Sequence, residues 1–394
     1  MVPANSAPAN LARTNQPSDE CLAARAGDRR IALTRGIANW FIFLDHIPHN
    51  VVNLLTIRNF GFSGATDLFV FVAGYAAALY YGRMARERGL VVATTRILRR
   101  LWQLYAAYVV LFVIYIDVIS NVAAQYAATE IIDEYNVTGL VDYPTQTLMH
   151  GLLLQAKPLN LDTLQLFVAL MAFFPLVLWA MLRRPHLALA GSIALFAAAR
   201  QFGWTFHSFP SGDWYFNPYS WQLLFVLGAW CALNGSSLVS RLSRMRLLLG
   251  AAAAYLLFGL AMTIAVQSVA IGRFVPDILL DAFLPNEKEN LALFRVVHFL
   301  ALAFVFTSLV PRDWSPLRST VLQPVIKCGE EWLSVFCVGV FLSFAAHLVL
   351  ITTTNSLLMQ VLVSVAGISI MIGVAYYISW SKRQDRNRSS LVFN

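Results

Sequence analysis

The chain has 394 residues, of which 58% are hydrophobic and 13% charged, and its mean hydropathy is +0.62. A soluble domain carries about 25% charged residues, so these charges could not cover a water-soluble globule of this length. Disordered, collagen-like and ordinary cytosolic classes are excluded in favour of a polytopic membrane protein. The four cysteines, Cys21, Cys231, Cys328 and Cys337, have neither metal-type nor disulfide-scaffold spacing. The net charge of +8 informs through its placement, as shown below.

Residues 1–30 are rich in Pro, Ser, Asn, Ala and Arg and lack an apolar core or a small-residue cleavage site. They read as a flexible cytoplasmic tail rather than a secretory signal. A helix needs about 20 apolar residues to cross the bilayer core. Ten such spans are expected, over residues 36–55, 65–82, 101–120, 163–182, 186–204, 219–235, 247–270, 291–310, 332–352 and 358–380. The apolar stretch Thr147–Gln155 is too short to cross and reads as re-entrant or interfacial. The expected organisation is a tail (1–30), an all-α transmembrane domain (31–381) and a basic tail (382–394), with no internal repeat.

Charge placement tests this topology independently. With the N-terminus inside, the inner segments collect Arg13, Arg25, Arg29, Arg30 and Arg35, then Arg83, Arg86, Arg88, Arg96, Arg99 and Arg100. Further along they collect Arg183, Arg184, Arg241, Arg244, Arg246, Arg312, Arg318, Lys327, Lys382, Arg383, Arg386 and Arg388, leaving Arg58, Lys157, Arg200, Arg273, Lys288 and Arg295 elsewhere. The outer segments gather acids instead: Glu130, Asp133, Glu134, Asp142, Asp162, Asp213, Asp277, Asp281, Glu287 and Glu289. This is the positive-inside pattern. Both termini are expected in the cytoplasm, and the basic balance reports topology rather than nucleic-acid binding.

Ionisable groups inside spans are costly and point to function. The first span reads RGIANWFIFLDHIPHNVVNLL from Arg35. Continued as a helix, it puts His46, His49, Asn50 and Asn53 on one face, with Asp45 four residues before His49 and Pro48 as a kink. Such a stripe faces protein or water. It serves either as polar interhelical glue or as proton-transfer chemistry, because imidazole exchanges protons near neutral pH beside a carboxylate. The ligand set for a metal is incomplete. Arg35 lies about 16 Å before His46 at 1.5 Å per residue, which joins the inner face to mid-membrane. Arg96, Arg99 and Arg100 open the third span, either anchoring to anionic headgroups or gripping a phosphorylated cosubstrate.

The remaining polar candidates are Asp67, Asp117, Asp162, the Arg295/His298 pair and His347. Arg295 and His298 could bind an anion, or Arg295 could pair with Asp67 or Asp117; His347 reads as structural. The aromatic stretch Phe202–Phe225 reads first as an interfacial belt. Alternatively Trp214, Tyr215 or Trp221 offers a flat face to a sugar ring, with Asp213 accepting a hydroxyl.

Four blocks, Arg35–Gly82, Pro158–Met171, Trp214–Trp230 and Asn290–Ala303, resemble the OpgC family, with the likeness running over about residues 30–380. That family is associated with succinylation of osmoregulated periplasmic glucans and is similar to the wider membrane-bound acyltransferase-3 group. In that group an arginine, ten residues and a histidine mark the first span, a spacing that Arg35 and His46 match. The resemblance implies an inner-membrane O-acyltransferase that moves an acyl group, succinyl by expectation, from cytoplasmic acyl-CoA to a periplasmic glucan hydroxyl. It casts His46 as general base. Arg35 with Arg96, Arg99 and Arg100 would stand near the acyl-CoA entrance, with no tightly bound cofactor or metal. Asp45 or another acid would stabilise the imidazolium, and His49, Asn50, Asp67, Asp162, Trp214, Arg295 and His298 are the substrate-side candidates. Arg295 or Arg58 is the guess for a succinyl carboxylate. The rival expectation is a proton-coupled transporter or flippase of a glycan or acyl-bearing substrate.

Overall fold

The computed structural model describes residues 28–126, 143–156, 160–242 and 245–392. Residues 1–27 of the expected tail, Glu130, Asp133, Glu134, Asp142, Lys157 and Arg244 lie outside the described residues. The helices are α1 (Arg29–Asp45), α2 (Ala65–Arg88), α3 (Leu90–Tyr126), α4 (Pro144–Leu152), α5 (Asp162–Arg183), α6 (Pro185–Phe202) and α7 (Pro218–Leu242). They continue with α8 (Arg246–Gln267), a single α-helical turn over Val269–Gly272, α9 (Asp277–Phe283), α10 (Leu293–Leu309), α11 (Gln323–Glu330), α12 (Trp332–Thr352) and α13 (Leu357–Val392). No β-strand occurs among the described residues, beyond two isolated bridges.

Among the described residues, six helices are long and apolar enough to cross a membrane: α2, α3, α5, α8, α12 and α13. The other four expected spans coincide with α1, α6, α7 and α10, which are shorter or more polar. α13 runs on to Val392, so no break in the helix marks the expected basic tail. The short α4 lies against α3, where the Phe112 ring occupies the space beside Gly151 and the Tyr105 hydroxyl donates to the Leu152 carbonyl at 2.9 Å. At about 1.5 Å per residue, its nine residues flank a span and do not make one.

The first span differs from expectation in a way that matters for the site. Asp28 caps α1 by accepting from the Arg30 amide at 3.0 Å, but the helix stops at Asp45, with His46 as its C-cap. Pro48 ends this helix rather than kinking it, because it lacks the N–H and crowds the carbonyl four residues earlier. His49 then turns the chain at φ +56°, and Asn50 caps a 3-10 turn over Val51–Leu55. The predicted stripe of His46, His49, Asn50 and Asn53 therefore does not form.

Small residues bring helix backbones together, as in other membrane bundles. Gly74 of α2 lies on the Phe225 carbonyl of α7, and Gly228 of α7 lies on the Phe71 carbonyl. Gly36 of α1 and Gly329 of α11 meet in the same manner through Val325 and Ala32. These two seams set α1 and α2 in the bundle, and with them the groups that face its interior.

Candidate functional site

At the end where α1 begins, α1, α2, α3, α5, α7 and α12 enclose a cavity of about 410 Å³. Its polar wall is Arg35, Arg100, Tyr80, Tyr81 and Trp332; its apolar wall includes Leu104, Phe167, Met171 and Phe225. The Arg35 and Arg100 guanidinium carbons stand 5.7 and 5.0 Å from the Trp332 ring centroid. Arg100 donates to Gln103 at 3.0 Å. Among the described residues no carboxylate pairs with either arginine, so two cations share one ring and one cavity without a counter-ion. Stacking on indole suits the flat, weakly hydrated guanidinium and leaves its N–H groups free for an anion.

The expected arginine cluster divides along α3. Arg100 belongs to the inward stripe Ala93, Ile97, Arg100 and Leu104, and reaches the cavity. Arg96 and Arg99 are exposed and line a separate recess with Val92 and Thr95. Successive residues turn about 100°, so neighbours in a basic run face different environments.

Eleven residues along α1 from Arg35, the His46 ring Nδ1 lies 2.6 Å from the Ile42 carbonyl oxygen. A carbonyl only accepts, so Nδ1 carries the proton and the neutral ring presents Nε2 as an acceptor. Nε2 has no hydrogen-bond partner among the described residues. Asp45 does not orient the ring by a hydrogen bond. Its carboxylate accepts from the Thr56 hydroxyl at 2.6 Å and lies 3.9 Å from the Arg58 Nε, and no hydrogen bond joins it to His46. The group that orients the imidazole is a backbone carbonyl one turn earlier, which residue identity alone does not advertise.

His46 is not part of the cavity wall. Phe69, one turn before the cavity-lining Ala73 on α2, packs edge-on against Phe167 at 5.2 Å and Trp332 at 5.3 Å. It also stacks on Phe336 at 5.9 Å. Phe167 and Trp332 of this cluster also line the cavity.

The other candidates separate by environment. Asp67 and Arg295 form a buried bidentate pair, Nε to Oδ1 2.9 Å and Nη2 to Oδ2 2.6 Å. Arg295 also donates to the Phe62 carbonyl at 2.8 Å and to Asn286 at 3.3 Å, while Asp67 accepts from the Gly64 amide at 2.7 Å. Protein acceptors take four of the five Arg295 N–H donors, which favours the pairing reading over anion binding. His298 bonds Ser63 through Nδ1 at 2.8 Å and is enclosed by Phe62, Tyr255, Gly61 and Gly259. Asn50 ties the first-span loop to α13 through Ser364 at 3.0 Å. His49 is exposed, Asp117 is exposed, and His347 is buried in α12.

In the aromatic stretch, Trp214 is buried edge-on against Phe206 and so offers no open face. Trp221 is buried too, its Nε1 donating to the Lys288 and Glu289 carbonyls at 3.0 and 3.1 Å. Tyr215 is the exposed ring of the three. Asp162, the first residue of α5, is buried within electrostatic range of Tyr108 and Tyr215. Asp213 faces out, 2.9 Å from His207.

One group escaped the sequence reading. Lys288, in the loop between α9 and α10, places its ammonium 5.5 Å from the Tyr215 ring centroid and 5.3 Å from that of Phe216. It lies within electrostatic range of both His46 and Asp45. Loss of surrounding water, and then the Arg295 guanidinium, push this ammonium down from its ordinary range to about 8. No periodicity or motif marks a loop lysine, and only its surroundings single it out.

A family model described as OpgC protein matches residues 27–383 of the chain. Comparison with curated proteins and with solved structures finds no match.

Proposed function

The chain belongs to the OpgC family, and from that membership and the site geometry we propose a membrane O-acyltransferase that moves an acyl group from a CoA thioester to a glucan hydroxyl. Family membership supports a membrane transferase acting on glucans; acyl-CoA as donor and succinyl as the group carried are the finer part of the proposal. The observation that carries it is the pairing on α1 of an unneutralised arginine site with a histidine whose Nε2 is a free acceptor, about 16 Å apart along the helix.

On this reading the basic Arg35 end faces the cytoplasm. CoA phosphates settle on Arg35 and Arg100 beside Trp332, and the pantetheine arm extends toward His46 when the Phe69 and Phe167 rings move aside. The glucan arrives from the periplasm, with Tyr215 as its stacking face and Asp162 as a hydroxyl acceptor. His46 Nε2 takes the hydroxyl proton as the oxygen attacks the thioester carbonyl, and the CoA thiolate leaves. The Ile42 carbonyl holds the tautomer that this needs and stabilises the imidazolium formed.

The test is transfer from labelled succinyl-CoA to glucan oligosaccharides by protein in lipid vesicles. His46→Gln keeps the size and polarity of the side chain but removes the base. Turnover should drop on the order of 10²- to 10⁴-fold with insertion unchanged. Wild-type turnover by His46→Gln overturns the mechanism, and glucan movement without acyl transfer points to the transporter instead.

A further inference from the structure

The proposed reaction leaves Lys288 unused, although its position is unusually well defined. The backbone on either side of it is pinned from three directions. Trp221 Nε1 donates to the carbonyls of Lys288 and Glu289, and the Asn217 amide donates to Glu289 at 3.0 Å. Arg200 donates to the Asn290 carbonyl at 3.1 Å and the Glu287 carboxylate at 3.2 Å. The side chain these bonds hold in place has no hydrogen-bond or ion-pair acceptor among the described residues; its ammonium rests against two aromatic faces.

The neighbouring cations do not stand in the same way. Arg295 is committed to Asp67, Phe62 and Asn286. Arg58 is exposed and sits beside Asp45. Lys288 is thus a cation near His46 that forms no direct ion pair among the described residues, Asp45 and Asp67 acting on it only at longer range. A thioester presented to His46 from the Arg35 side directs its acyl chain away from CoA, toward the end of the bundle where Lys288 stands. An aliphatic acyl tail gains nothing from an ammonium there, whereas a second carboxylate supplies the missing partner.

We infer that Lys288 reads the free carboxylate of a dicarboxylic acyl donor and so sets which acyl group the enzyme carries. This rests on the acyltransferase reading above and adds the residue that makes the choice.

The experiment compares succinyl-CoA with butyryl-CoA, which has the same carbon count and a methyl in place of the carboxylate, using the full-length protein in vesicles with glucan oligosaccharide as acceptor. Wild type should favour succinyl. Lys288→Met should lower the succinyl-to-butyryl ratio of kcat/KM roughly 10- to 100-fold, the range for a lost hydrogen bond to a charged group, chiefly through the succinyl KM. Lys288→Arg should keep most of the ratio, which a purely structural role would not require. A ratio within twofold of wild type in Lys288→Met, or a wild type that prefers butyryl, overturns the assignment. No transfer from either donor by the wild type brings down the acyltransferase reading itself.

Discussion

Arg295→Met is the sharpest test of whether the Asp67/Arg295 pair holds the fold or binds substrate. The side chains of Arg295 and Asp67 are 5% and 0% exposed. Methionine occupies similar space but removes both bonds to Asp67 and those to Phe62 and Asn286. Asp67 keeps the Gly64 amide as donor, too little to hold a buried carboxylate without a counter-ion. Breaking such a pair from one side costs about 3–5 kcal/mol. For a chain of this length that corresponds to a fall in midpoint of about 4–6 °C. Tryptophan fluorescence of detergent-purified protein, heated at one fixed rate, reads this loss. Adding Asp67→Asn should recover part of it, since the amide has no charge to strand. If Arg295→Met melts within 2 °C of wild type and the double variant is no better, the pair is not structural and both residues return as ligands.

Three further outcomes follow from the same geometry. Arg35→Leu and Arg100→Leu should each raise the KM for acyl-CoA by about tenfold or more through loss of charge-assisted hydrogen bonds. Because both cations share the Trp332 ring, the double variant should fall short of the product of the two effects, and titration of CoA alone by calorimetry should show the same pattern. Gly36→Ala would put a Cβ 1.9 Å from the Val325 carbonyl, so it should destabilise the protein by about 1–3 kcal/mol, seen as a lower melting midpoint. Lys288, lowered to about 8, is the ammonium below that pH and the neutral amine above it. The succinyl-to-butyryl rate ratio should therefore fall as pH rises through about 8, and the ratio cancels any titration of His46 common to both donors.

Much of the architecture is legible one helix at a time. Hydropathy located the apolar segments because each must satisfy its own backbone in lipid, whichever neighbours it meets. The Arg35-to-His46 distance follows from the rise of one helix. In the first span the apolar run through Val51–Leu55 carries the hydropathy signal past Pro48, where proline's steric restriction on the preceding residue ends the helix.

What the chain determines alone is thus periodic and local: a membrane bundle, a basic end, and a histidine a fixed distance from an arginine on one helix. Only the folded molecule decided which charges are spent and which are free. Arg295 meets Asp67 across 228 residues of chain, Asp45 turns to Thr56 rather than to His46, and Arg100 is drawn inward while Arg96 and Arg99 remain outside. Lys288 comes to rest on Tyr215 and Phe216 because Trp221 and Asn217 clamp its loop. The energy of a charge depends on the partners within a few ångströms, and helix packing brings those partners from distant parts of the chain.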